Sequence, residues 1–176
     1  MIFKEQIRIF GNHARILKKY SRDKGGDNSV ENIVEDGKSV YLFDTMIQGF
    51  MVAAMWGIVE KRKAEPCKTG DEMYATIFSD IINKNRKNFE RIYQHMILAT
   101  RDDLADDEKI KKAFTTDRSP EEDKEAEEEI LAYVFGGLEI IDELFNGKET
   151  YESITNVIYS LDNLLYVGRE ESEQQN

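Results

Sequence analysis

Between Met46 and Val59 the chain runs fourteen residues with Gln48 as the only conventionally polar side chain, a pattern that predicts a helix apolar around most of its circumference. Gly49, Ala53 and Gly57 recur within it at four-residue intervals, so one stripe is stripped of side chains and open to a close neighbour. Ser39 as a cap and Pro66 beyond the end set its expected bounds at about 39–63. A helix apolar on all faces must be covered on all faces. Phe50, Val52, Ala53, Ala54, Trp56 and Ile58 are therefore expected in the core.

The remaining apolar positions also follow mostly helical spacing. Ile16, Leu17 and Tyr20 predict a helix capped by Asn12, after a short apolar lead from Ile7. Residues 21–29, with Gly25 and Gly26 among alternating charges, read as a mobile loop, and 30–37 as a helical turn. Thr69 to Glu72 has the form of a capping box and opens a long amphipathic helix whose apolar positions run from Tyr74 and Ile77 through Phe89 and Tyr93 to Ile97, ending near Ala99. Asp106 starts a short helix carrying Ile110, Ala113 and Phe114.

Ser119-Pro120-Glu121-Glu122 is the strongest start signal in the chain: a cap serine, proline at the first helical position and glutamate at the third. That helix is expected to run to Phe145, interrupted by Gly136 and Gly137, with Gly147 as its C-terminal cap. Gly136 and Gly137 are the expected partners of the Gly49, Ala53 and Gly57 stripe, because glycine inside a helix costs about 1 kcal/mol against alanine and needs a packing reason. Thr150 opens a last helix with Ile154, Val157, Ile158, Leu161, Leu164 and Leu165 on one face. No strand-like alternation lasts beyond four or five residues. The pattern predicts an all-α, single-domain bundle of five to six helices around the central one, spanning 1–167, with a polar tail at 168–176.

Charge changes this picture more than composition does. The net charge is −11. Up to Arg91 the chain holds 16 basic and 13 acidic residues, a balance of +3; beyond it the numbers are 8 and 22, a balance of −14. An acidic total argues against direct binding to a nucleic-acid backbone, whose affinity comes largely from neutralised phosphates. Two opposed surfaces stand out as interaction candidates: the acidic Glu125, Glu127, Glu128 and Glu129, and the basic Lys84, Arg86, Lys87 and Arg91. Against both stands the simpler reading, that each is a solvated helix face and that the acidic run suits the helix dipole. The Met46–Val59 run is too short to span a membrane, which takes about 20 residues, and no signal-peptide core precedes it, so a cytoplasmic location is expected.

Candidate chemistry is sparse. No glycine-rich phosphate loop follows a strand, and neither His13 nor His95 has the Glu-x-x-His spacing of a metal-binding bundle. No metal or other cofactor is implied, and no catalytic residue stands out. His13 reads as a surface or cap-region side chain, His95 as a boundary histidine, and Cys67, with no histidine near it in sequence, as a bystander thiol. The single cysteine excludes an intramolecular disulfide.

Three functions remain. The first is a non-catalytic helical accessory subunit that docks on a protein partner or on itself through its charge-bipolar surface, with a bacterial nucleic-acid-processing or defence assembly as one setting. The second is a small enzyme or ligand binder using the Gly-lined core. The third is an acidic mimic of nucleic acid. An interaction protein should expose an apolar patch beside its charged faces; an enzyme should bring His13 or His95 to a carboxylate in a concave pocket.

Overall fold

The computed structural model describes residues 2–22, 33–35, 38–67, 73–146 and Thr155. Helices dominate: among the described residues there are six, and the fold is mostly helical, built around one shared hydrophobic core. The longest, α6 (Pro120–Phe145), starts where the local signal places it. Ser119 Oγ accepts from the Glu122 amide at 3.2 Å while Glu122 Oε2 accepts from the Ser119 amide at 2.7 Å, satisfying two N-terminal donors at once. It then runs unbroken through Gly136 and Gly137.

The central helix coincides with its apolar run but is shorter than the bounds that Ser39 and Pro66 suggested. It spans Met46–Val59 (α2) and is capped by Thr45 rather than Ser39, which belongs to a short antiparallel ribbon, β2 (Ile33–Glu35) with β3 (Lys38–Val40). Of the helical turn expected at 30–37, the described residues 33–35 are strand instead. The helix cannot start earlier because Leu42 and Phe43 are committed elsewhere. Both donate to the Tyr20 carbonyl at 3.0 Å, and Phe43 accepts from the Arg22 amide at 2.9 Å. It stops short of residue 63 because Lys61 adopts a left-handed φ of 49°, turning the chain out of the helical path.

Glycine sets the approach of α2 to α6. A Cβ at Gly57 would lie 2.0 Å from the Tyr133 carbonyl oxygen, and one at Gly137 would lie 1.9 Å from that of Ala53. As the number rises on one helix it falls on the other, so the two run antiparallel. Gly136 lies against the Arg62 carbonyl, just past the end of α2. Gly49 faces a different neighbour, with Ser21 Oγ at 2.6 Å and Leu17 Cδ1 at 3.0 Å from the space a Cβ would fill. These last two contacts tie α2 to α1 (Gly11–Tyr20) and to Ser21, the residue that ends it.

The expected long helix from Thr69 to Ala99 does not form as one piece. Tyr74–Ile77 is a strand (β4), pairing antiparallel with Ile7–Phe10 (β1) in the register Ile7 to Ile77, Ile9 to Ala75. Those four side chains point inward and are buried, so a strand of four residues is enough to cover one end of the core. The capped helix at Asn12 is likewise displaced. The α1 helix starts at Gly11, whose φ of 60° makes the turn out of β1 and whose amide donates to the Met73 carbonyl at 2.9 Å.

After β4 come α3 (Ser79–Lys84) and α4 (Arg86–Thr100), broken at Asn85. The Asn85 side-chain amide donates to the Ile81 carbonyl at 2.9 Å, giving the backbone an alternative to continued helix. Phe89 on α4 meets Phe50 on α2 with ring centroids 5.9 Å apart, and Phe3 closes the cluster. Each buried phenylalanine contributes about 1.5–3 kcal/mol by burial. The helix α5 (Asp106–Phe114) packs on α4 through Ala113, while Ile110 and Phe114 are exposed. The loop at 23–29, the Thr69–Glu72 capping box, Gly147, all of the last helix but Thr155, and the tail fall outside the described residues.

Candidate interaction surface

With α6 against the Ala53 and Gly57 side, α4 reaching Phe50 and α1 against Gly49, three sides of α2 are taken. The fourth carries Met51, Val52, Met55, Trp56 and Val59, which form an open, wholly apolar trough. Met51, Met55 and Val59 make one row at four-residue spacing, and Val52 and Trp56 make a second beside it. Eight residues of rise make the trough about 12 Å long. Val52 is 39% exposed and Val59 68%, while both methionines and Trp56 are half-buried. The core expectation therefore fails at Val52 and is only half met at Trp56. Phe50, Ala53, Ala54 and Ile58 are buried.

The acidic candidates divide into two pairs. Glu125 and Glu128 are exposed, Glu128 lying 3.9 Å from Lys124 one turn earlier. Glu127 is drawn into the structure, accepting from the Phe3 amide at 2.7 Å. Glu129 bonds both Lys63, at 2.7 Å, and Arg101. The basic candidates Lys84, at the end of α3, and Arg86, Lys87 and Arg91, on α4, are all exposed. Lys61-Arg62-Lys63, by contrast, is matched within the molecule. Lys61 bonds Asp102 at 2.6 Å, Lys63 bonds Glu129, and Arg62 forks onto Glu143 at 2.6 and 2.7 Å while also reaching Glu139 at 3.0 Å. These three basic residues thus pair with acidic ones from the second half of the chain. The bond to Glu143 pushes the Arg62 guanidinium above its ordinary range, and burial only partly opposes it.

A second ionic cluster holds the start of α6. Asp123 is 4% exposed and accepts from Arg118 Nε at 3.1 Å. The same guanidinium donates to both Glu90 oxygens at 2.8 and 3.0 Å and lies over the Tyr93 ring at 4.4 Å. Burial alone would raise the Asp123 pKa. Neighbouring cations, Arg118 among them, outweigh it and hold the carboxyl below the usual carboxylate range.

His13 is not a surface side chain. It is 4% exposed and stacks on Phe135 with ring centroids 4.7 Å apart and planes 20° from parallel. Its Nε2 lies 3.3 Å from Glu139 Oε1, and its Nδ1 lies 3.4 Å from Cys67 Sγ. Cys67 therefore does have a histidine beside it, contributed from 54 residues away. His95 is exposed, with Nδ1 at 2.8 Å from the Arg91 carbonyl. Among the described residues no group of three or more His, Cys, Asp or Glu is placed to hold a metal ion, and no helix is long and apolar enough to cross a membrane. No family model, no curated protein and no solved structure matches this chain.

Proposed function

We propose that this chain is a non-catalytic accessory subunit of the cytoplasm that docks on a partner protein through the open face of α2. The observation that carries the reading is the trough of Met51, Val52, Met55, Trp56 and Val59, an apolar patch without a single polar lining residue. Scattered exposed apolar residues need no explanation, but exposed Val52 and Val59 adjoin half-buried Met51, Met55 and Trp56 on one helix face, and the five form a contiguous strip. Two rows at four-residue spacing make a ridge-and-groove surface suited to a helix, so the partner's matching element is the apolar face of a helix. Methionines adapt to such a partner, and a central tryptophan is the residue type that most often anchors an interface. The exposed charges of Glu125, Glu128 and the α3–α4 basic group would steer encounter rather than hold the complex.

The test is a double substitution, Val52→Glu with Val59→Glu. Both side chains are exposed, so the melting midpoint of the purified protein should stay within the range of ordinary surface changes. In extracts of the native cell, the fraction of the chain migrating in an assembly larger than itself should fall sharply. A variant that keeps the parent's assembled fraction contradicts the reading.

A further inference from the structure

The extended strap after α2 brings the chain's one cysteine to a buried histidine. Arg62 anchors the strap by its fork onto Glu143, and the Ala64 amide donates to the Ala132 carbonyl at 3.0 Å, so Cys67 sits at the end of a segment laid along α6. His13 reaches the same place from the first turn of α1. Phe135 fixes the plane of its ring, and Glu139, one turn further along α6, fixes its tautomer: the carboxylate accepts Nε2–H at 3.3 Å. That leaves the Nδ1 lone pair facing the thiol, which donates to it across 3.4 Å. Arg62 in turn donates to the other oxygen of Glu139 at 3.0 Å. A nucleophile, a base within reach of it, and a third group orienting the base form the arrangement that activates thiols.

We propose that Cys67 is a modification site at which a small hydroperoxide oxidises the thiol to a sulfenic acid, with His13 carrying the proton and Glu139 as its positioning residue. The Sγ proton passes to His13 Nδ1 as the sulfur electron pair attacks the outer oxygen of the hydroperoxide. The S–O bond forms as the O–O bond breaks, and the departing oxygen takes the proton back from His13 and leaves as the alcohol, or as water from hydrogen peroxide. Sulfur gives up two electrons and the peroxide gains two. The reagent is small because Cys67 is half-buried. The chain holds no second cysteine, so the sulfenic acid condenses with a thiol from outside the chain, releasing water and leaving a mixed disulfide.

The experiment treats the purified full chain with hydrogen peroxide at pH 7, traps the product with dimedone and locates it by mass spectrometry, with glutathione as the reference thiol. Cys67 should be labelled at a rate at least about tenfold above glutathione, since a positioned base contributes at least that much. The His13→Gln variant should fall to the glutathione rate. Labelling of the parent no faster than glutathione, or His13→Gln labelling as fast as the parent, would overturn the proposal. Should His13→Gln fail to fold, the parent in denaturant serves instead: its rate should drop about tenfold on unfolding, and an unchanged rate overturns the proposal equally.

Discussion

The carbonyl oxygen of Ala53 occupies the place where a side chain on Gly137 would begin, 1.9 Å from the position of its Cβ. Backbone meets backbone there, and again between Gly57 and Tyr133, so neither site can relax by swinging a side chain aside. Alanine at either position gains about 1 kcal/mol of helix propensity but forces the two helices apart. Gly57→Ala and Gly137→Ala should each cost about 1–3 kcal/mol net in urea denaturation. Gly49→Ala should cost less, because its nearest obstacles are the side chains of Ser21, Leu17 and Phe43. Equal losses at all three positions would contradict this packing.

The Arg118 cluster predicts how stability responds to acid. Asp123 has a lower pKa folded than unfolded, so it contributes stability above its unfolded value, near 4, and loses it as pH falls through the folded value. Asp123→Asn should lower stability at pH 7 by about 1–3 kcal/mol, since Arg118 exchanges a charged acceptor for a neutral one. The gap between parent and variant should narrow as pH drops below about 4, where the parent's carboxyl takes up its proton. Urea titrations at pH 7, 4 and 3 measure both; a gap that widens in acid would refute the assignment.

The acidic run on α6 separates into structural and surface members. Glu125→Gln and Glu128→Gln should stay within about 0.5 kcal/mol of the parent, as exposed charges do. Glu129→Gln should cost about 1–2 kcal/mol, because Lys63 and Arg101 both lose a charged acceptor. Thermal melts of the three variants check the ordering. A uniform response would mean that Glu129 is as solvated as its neighbours.

What the sequence shows well here is local. Ser119, Pro120 and Glu122 specify a helix start by contacts three residues apart, and α6 begins there. The apolar run from Met46 gives α2 its place, and the steric need at Gly57 follows from its neighbours' spacing. What the sequence conceals depends on distant partners. Ile7 and Ile9 read as a short apolar lead because the strand they pair with lies more than sixty residues on. Tyr74 and Ile77 fit a helical period equally well, and only that pairing decides against it. Asn85 breaks the expected long helix, its side chain donating to the Ile81 carbonyl and accepting from the Asn88 side-chain amide. His13, Cys67 and Glu139 carry no motif at all, His13 being separated by 54 residues from Cys67 and by 126 from Glu139. The exposure of Val52 was hidden for the opposite reason, since a uniformly apolar helix gives no sign of which side is left uncovered.

Photo-crosslinking in the native cell tests the docking face most directly. A benzoylphenylalanine placed at Val59, and separately at Val52, reports whatever lies against α2; the same group at exposed Lys111 on α5 serves as the control. Positions 52 and 59 should give one discrete adduct between this chain and a second protein, position 111 none, and the adduct should be lost when Trp56 is replaced by Ala. No more adduct from positions 52 and 59 than from position 111, or only a crosslink within the chain to residues beyond Asn146, would rule out docking through this face.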